Sequence, residues 1–139
     1  MRLRWNKLQD IALQNRPVQS DQNQGWKGVG MSRNGLLIQY EYCTGCHACE
    51  VACKQEHNYP VAKGGIRLNE IVTELSGRIR IDYLPFLTEY CDLCASRVKR
   101  GEKPACVKHC QADCMMFGSI TKLAEAAEDK PRSVIFAPR

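Results

Sequence analysis

Cys43, Cys46, Cys49 and Cys53 form a run of spacing C-x2-C-x2-C-x3-C. Thiolates at two-residue intervals let one tight loop wrap three corners of a single iron–sulfur cube. The fourth, set three residues further on, enters a helix, points away and serves a different cluster. Gly45, inside the run, lets the backbone come close to such a cube. Zinc knuckles use paired C-x2-C units, not three cysteines in seven residues, so the run points to iron and sulfide. A second group, Cys91-Asp-Leu-Cys94 and Cys106-Val-Lys-His-Cys110, is split by the eleven residues Ala95 to Ala105. Alone it would also suit zinc; beside the first run it reads as a partner half.

Nine cysteines in 139 residues are too many for ordinary core packing and leave two readings, a disulfide scaffold or a metal framework. A domain this small often leans on one or the other. The first thirty residues contain no continuous apolar stretch, only scattered Arg2, Arg4, Lys7 and Arg16, which is not a secretory pattern. No run long enough to span a membrane occurs. The expectation is a cytoplasmic chain with reduced thiols, and therefore metal. The formal charge of +5 falls to about +1 once two doubly negative cluster sites are counted, so the basic residues need not imply nucleic acid.

Residues 1–34 read as a polar arm, either a disordered tail or, as Trp5 and Trp26 favour, a segment that wraps the domain or docks on a partner; residues 35–139 read as the cluster domain. Within it, Asn34-Gly35 reads as a turn and Leu36–Tyr40 as a short strand. Ala48–His57 reads as a helix, and Gly64-Gly65 as a break. Ile66–Leu75 and Arg78–Leu84 form a hairpin about Ser76-Gly77, with Pro85 ending it. A last helix covers Lys122–Glu128, capped by Thr121, with Pro131 beyond its end, and Val134–Phe136 reads as an edge strand. Each cysteine group sits near an extended segment and a short helix, a weak internal repeat that suits a two-cluster protein.

The second group carries the family resemblance. Cys91-Asp-Leu-Cys94, a basic loop ending in Gly101-Glu-Lys-Pro-Ala-Cys106, then Cys110, with Phe117-Gly118 following, resembles the iron–sulfur subunits of the dimethyl sulfoxide reductase type over roughly residues 36–120. The chain departs from that pattern at Gln111, where proline is usual, and at Cys114, where a small residue is usual; it also shows two cluster motifs where larger members have four. In this it is similar to the small subunits that accompany tungsten aldehyde-oxidoreductase-type enzymes, including benzoyl-coenzyme A reductases.

The resemblance implies an α+β fold, a bacterial 2[4Fe-4S] ferredoxin-like core with an inserted β-hairpin and an extended N-terminal arm. It implies two [4Fe-4S] clusters, one held by Cys43, Cys46, Cys49 and Cys110 and the other by Cys53, Cys91, Cys94 and Cys106. It implies a non-catalytic electron-transfer subunit. The partners would be a large molybdenum or tungsten pterin subunit and an external carrier or further redox subunit. A free soluble dicluster ferredoxin and a zinc-stabilised binding module are the alternatives.

Several other residues near the cysteines have plainer roles open to them. Cys114 is a buried free thiol, a substitute ligand or part of a further cluster, and Cys106, Cys110 and Cys114 are expected on one helical face. His47 and His109 read as surface or supporting residues, and His57 shows no partner pattern. Tyr40, Tyr42, Tyr90 and Phe117 are expected to pack over the clusters. Arg97, Lys99, Arg100 and Lys103 form either a solvated loop or a docking patch for an acidic partner. No phosphate-binding glycine loop and no catalytic constellation is visible in the sequence.

Overall fold

A computed structural model describes residues 33–138. The arm expected over residues 1–34, with Trp5 and Trp26, lies outside the described residues up to position 32. The order of elements is β1 (Asn34–Gln39), a 3-10 turn (Tyr40–Tyr42), α1 (Ala48–His57), β2 (Ile66–Leu75), β3 (Arg78–Leu87), α2 (Ala95–Lys99), α3 (Ala105–Lys108), β4 (Met115–Ser119), α4 (Ile120–Glu128) and β5 (Ser133–Phe136). This is an α+β arrangement. Among the described residues no helix is long and apolar enough to cross a membrane.

Strand β1 is central to a three-stranded antiparallel sheet of order β4-β1-β5. Its apolar run Leu36-Leu37-Ile38 is fully buried, as a strand covered on both faces requires. Leu36 and Ile38 face the cysteines, α1 and α3, in a cluster with Cys49, Cys53, Ile66, Cys106, Val107, Cys114 and Met115. Gly35 and Leu37 alternate to the other face, where Leu123 of α4 packs.

Asn34 and Gly35 are not a turn. They pair with Ser119 and Gly118 as the first residues of β1. A Cβ on Gly35 would sit 2.8 Å from the Phe136 carbonyl oxygen and 3.4 Å from Leu123, so the glycine permits close packing rather than reversal.

The hairpin of β2 and β3 forms as expected, with Ser76 and Gly77 both at positive φ, as a type I′ turn demands. It continues past Pro85 to Leu87, with Pro85 opposite Leu68. A proline is tolerated because each strand of a two-stranded ribbon has a free edge on which a missing N–H costs nothing. Helix α4 begins at Ile120, with Ser119 rather than Thr121 in the capping position, and no side chain caps it. The Ile120 N–H donates instead to the Arg33 carbonyl at 2.9 Å. The edge strand near the C-terminus is present as β5.

Candidate iron–sulfur sites

Three local features aim the first run inward. Gly45 has φ +71°, and Tyr83 of the hairpin lies so close that a Cβ there would meet its ring at 2.5 Å. His47 takes a left-handed φ of 58° and turns the loop into α1. Helix α1 then carries both Cys49 and Cys53 on one face, one turn apart. Its position is fixed by a Glu50 carboxylate that accepts the Leu68 N–H of β2 at 3.0 Å and the His47 Nδ1 at 2.5 Å.

The second group is built on tighter turns. Leu93 and Cys94 both lie in the left-handed region, with φ of 56° and 52°. Such residues cost on the order of 1 kcal/mol or more each and persist where the surroundings hold them. The Asp92 carboxylate accepts the Cys94 N–H at 2.8 Å and closes that turn. Pro104 then starts α3, which carries Cys106 into the core.

The nine thiols gather about two separate cavities. Cys53, Cys91, Cys94 and Cys106 line one, together with Leu36, Ile66 and His57. Cys43, Cys46, Cys49, Cys110 and Cys114 line the other, with His47, Leu68 and Met115. Each cysteine run therefore contributes to both cavities: Cys53 leaves the first run for the cavity of the second, and Cys110 does the reverse. Among the described residues no disulfide joins any of the nine.

Electrostatics fits a positively charged guest. Burial pushes the Cys49 thiol up to about 12, helped by the charges of Glu50, Cys43 and Cys110, and pushes Cys91 up to about 11. Burial also raises Cys43, Cys53, Cys94, Cys106 and Cys114. Thiolates in such a place need a cation, and a soft all-sulfur donor set suits iron–sulfur chemistry. Backbone N–H groups oppose the burial by pointing at sulfur: Gly45 toward Cys43, Gly65 and Ile66 toward Cys53, Leu93 toward Cys91. The Ala105 N–H reaches the Cys94 sulfur at 3.4 Å. Donors of this kind tune the potential of a bound cluster. The residues present thus fit two cubanes.

Several supporting residues differ from expectation. Helix α3 ends at Lys108, so Cys106, Cys110 and Cys114 do not share a helical face; Cys106 lines one cavity and the other two line its neighbour. Tyr40 and Phe117 pack on the core, whereas Tyr42 and Tyr90 are largely exposed. His57, which no sequence pattern marks, stacks on Tyr59 and places Nε2 3.3 Å from the Cys94 sulfur and 3.6 Å from Asp92.

His47 is largely exposed but lines the cavity of Cys43, Cys46 and Cys49, where its ring bonds Glu50, whereas the His109 ring bonds the Ala105 carbonyl at 2.9 Å. Arg97 is not part of a solvated basic loop. It is buried, pairs with Glu56 of α1 at 2.9 Å and Glu102 at 2.7 Å, and donates to the Lys103 carbonyl. It clasps the loop between Cys94 and Cys106 to the first helix. Lys99, Arg100 and Lys103 remain exposed.

A family model described as a 4Fe-4S dicluster domain matches residues 79–120. Over 98 residues the chain is 32% identical to the iron-sulfur subunit of the nitrate-inducible formate dehydrogenase of Escherichia coli strain K12, covering 70% of this chain and 26% of that subunit. It is 30% identical over 89 residues to the B subunit of the anaerobic dimethyl sulfoxide reductase of Haemophilus influenzae, covering 63% and 33%. It is 25% identical over 111 residues to the B subunit of the polysulfide reductase of Wolinella succinogenes, covering 76% and 47%. The chain thus spans between about a quarter and a half of the length of these relatives. The cofactors that follow are [4Fe-4S] clusters, and the two cavities agree with a pair.

Proposed function

We propose that this chain, which carries a 4Fe-4S dicluster domain and is related to iron–sulfur subunits of redox complexes, is the electron-transfer subunit of a larger oxidoreductase. Cys43, Cys46, Cys49 and Cys110 hold one cluster, and Cys53, Cys91, Cys94 and Cys106 hold the other, on a ferredoxin-like core with the β2–β3 hairpin inserted in it. The observation that carries this reading is the pair of all-cysteine cavities joined by α1. Cys49 and Cys53 lie four residues apart, about 6 Å along a helix axis, and each lines a different cavity. Clusters bonded to sulfurs one helical turn apart exchange electrons readily.

When bound, the clusters supply one-electron chemistry; the chain's own residues bind them, exclude water and set their potentials. Leu36, Ile66 and Leu68 make the cavity walls apolar, and the backbone N–H groups favour the more negative, reduced state. His57 adds a ring nitrogen beside the Cys94 sulfur. None of these groups forms a substrate site, and the chain is non-catalytic in this reading. Catalysis belongs to a large molybdenum or tungsten pterin subunit, and an external carrier or further redox subunit takes the other end of the wire.

A subunit role is favoured over a free ferredoxin by the distal hairpin. Val72, Ile79 and Ile81 share one face there and are exposed, although nearer the body the same face is buried at Ile66 and Pro85. The catalytic subunit is the occupant proposed for that row and for the arm of residues 1–34. Nucleic acid is not a partner in this reading, since the basic residues offset anionic clusters. A cytoplasmic site agrees with nine unbridged thiols. Anaerobic purification under native conditions tests the proposal: a large pterin-containing polypeptide should accompany this one. A lone brown monomer would replace the subunit reading with a free ferredoxin.

A further inference from the structure

The two cavities differ in one respect: the second is lined by four thiols and the first by five. Each iron of a cubane, already bound to three sulfides, takes a single further ligand. Cys43, Cys46 and Cys49 come from one loop and the start of α1, which leaves one corner for the 110–114 segment. Two sulfurs face it. Cys110 Sγ and Cys114 Sγ are 3.5 Å apart, and Cys114 is only 3% exposed.

Their backbones are held differently. The Cys114 carbonyl accepts the Gln39 N–H of the central strand at 2.8 Å, and Met115 follows as the first residue of β4. Cys110 sits on a turn past the end of α3, where its N–H reaches the Val107 carbonyl only at 3.4 Å, and Asp113 is held in the left-handed region with φ 48°. Cys114 therefore starts from a rigid strand and Cys110 from a looser turn, yet both sulfurs reach the same space.

We propose that Cys110 and Cys114 are interchangeable ligands for the fourth iron corner of the cluster in the first cavity. One binds as thiolate, and the other stays a thiol whose S–H donates to the bound sulfur. In the exchange an iron–sulfur bond to one Sγ breaks as a bond to the other forms, and the proton moves from the incoming sulfur to the outgoing one; no electron is gained or lost. The second cavity has no fifth thiol and no such exchange. This inference rests on the reading of the first cavity as a cluster site.

The test compares Cys110→Ala, Cys114→Ala and the double variant in the full chain, purified anaerobically with whatever accompanies it. Iron, acid-labile sulfide and the EPR signal of each reduced cluster are measured. Both single variants should keep the wild-type iron content, and the double variant should lose half of it, all from the first cavity. If either single variant loses that half or fails to fold, the two thiols are not interchangeable and the proposal is overturned. It is equally overturned if the double variant keeps all its iron. Should the unaltered protein hold no four-iron clusters, the underlying reading fails instead, a result visible before any variant is made.

Discussion

At the scale of single residues, the assignment of Cys53 makes the sharpest demand. It belongs to the first cysteine run in sequence but to the cavity of the second in space. Cys53→Ala should lower iron per chain by about half, and its EPR spectrum should match that of Cys91→Ala rather than that of Cys46→Ala. A match to Cys46→Ala would dissolve the crossed arrangement.

The buried thiols also fix a direction with pH. Without iron, Cys49 titrates near 12 and Cys91 near 11, so both are protonated at neutrality. In the proposed assignment, cluster binding would strip those protons and hold each sulfur as thiolate, a group whose pKa the bound state depresses. The thiolates' contribution to cluster retention is therefore complete only above those iron-free values of about 11 and 12, and it falls progressively as pH is lowered beneath them. Iron loss to a chelator should be faster at pH 6 than at pH 8, and a rate flat across that window would contradict this linkage.

The eight ligand candidates were legible because thiol spacing is itself the chemistry. His57 and Tyr83 were not, because their roles arise only when the end of α1 meets Asp92 and Cys94, and when the hairpin folds over Gly45.

At the scale of elements, the hairpin and the first cysteine loop are coupled at one contact. Gly45 has a left-handed backbone, and Tyr83 fills the space a side chain there would need. Gly45→Ala should cost about 1–2 kcal/mol for the backbone alone, with the ring clash added, and should hasten iron loss from the first cavity. Adding Tyr83→Ala should restore part of the loss by removing the clash while leaving the backbone strain. A Gly45→Ala protein that keeps its iron as well as wild type would show that the contact does not matter.

Elements with strong local signals are legible in the sequence: α1 from its boundaries, the hairpin from its type I′ turn, β5 from its apolar tripeptide. Legibility ends where tertiary context decides. Gly35 resembles a turn residue but serves close packing beneath Phe136 and Leu123. Strand β4 and the short helices α2 and α3 escape a reading of the sequence because a strand of five residues and helices of five and four have too little periodicity to announce themselves. Their form is set by pairing with β1 and by the turns that aim cysteines inward. The clasp made by Arg97 is hidden for the same reason, since Glu56 lies on another element.

At the scale of the whole molecule, the core is not an ordinary hydrophobic one. Four of the nine residues in its buried cluster are cysteines, Cys49, Cys53, Cys106 and Cys114, and they surround the cavities rather than fill them. The stability of so small a body is then tied to what those cavities hold, and in the proposed assignment each cluster would staple the two cysteine groups together. The two-site plan was visible in the sequence as two cysteine groups in a weak repeat, and the α+β class followed from the resemblance. The crossing of Cys53 was expected from the spacing of its run and that of Cys110 from the resemblance, whereas the exposed apolar row on the hairpin emerges only in the fold.

The central claim, two four-iron clusters in one chain, is tested most directly by iron and acid-labile sulfide analysis of anaerobically purified protein, combined with EPR of the fully reduced state. Two such clusters require about eight irons and eight sulfides per chain, with a spectrum broadened by magnetic interaction between two neighbouring clusters. Zinc in place of iron, or four irons with a single isolated signal, would contradict it.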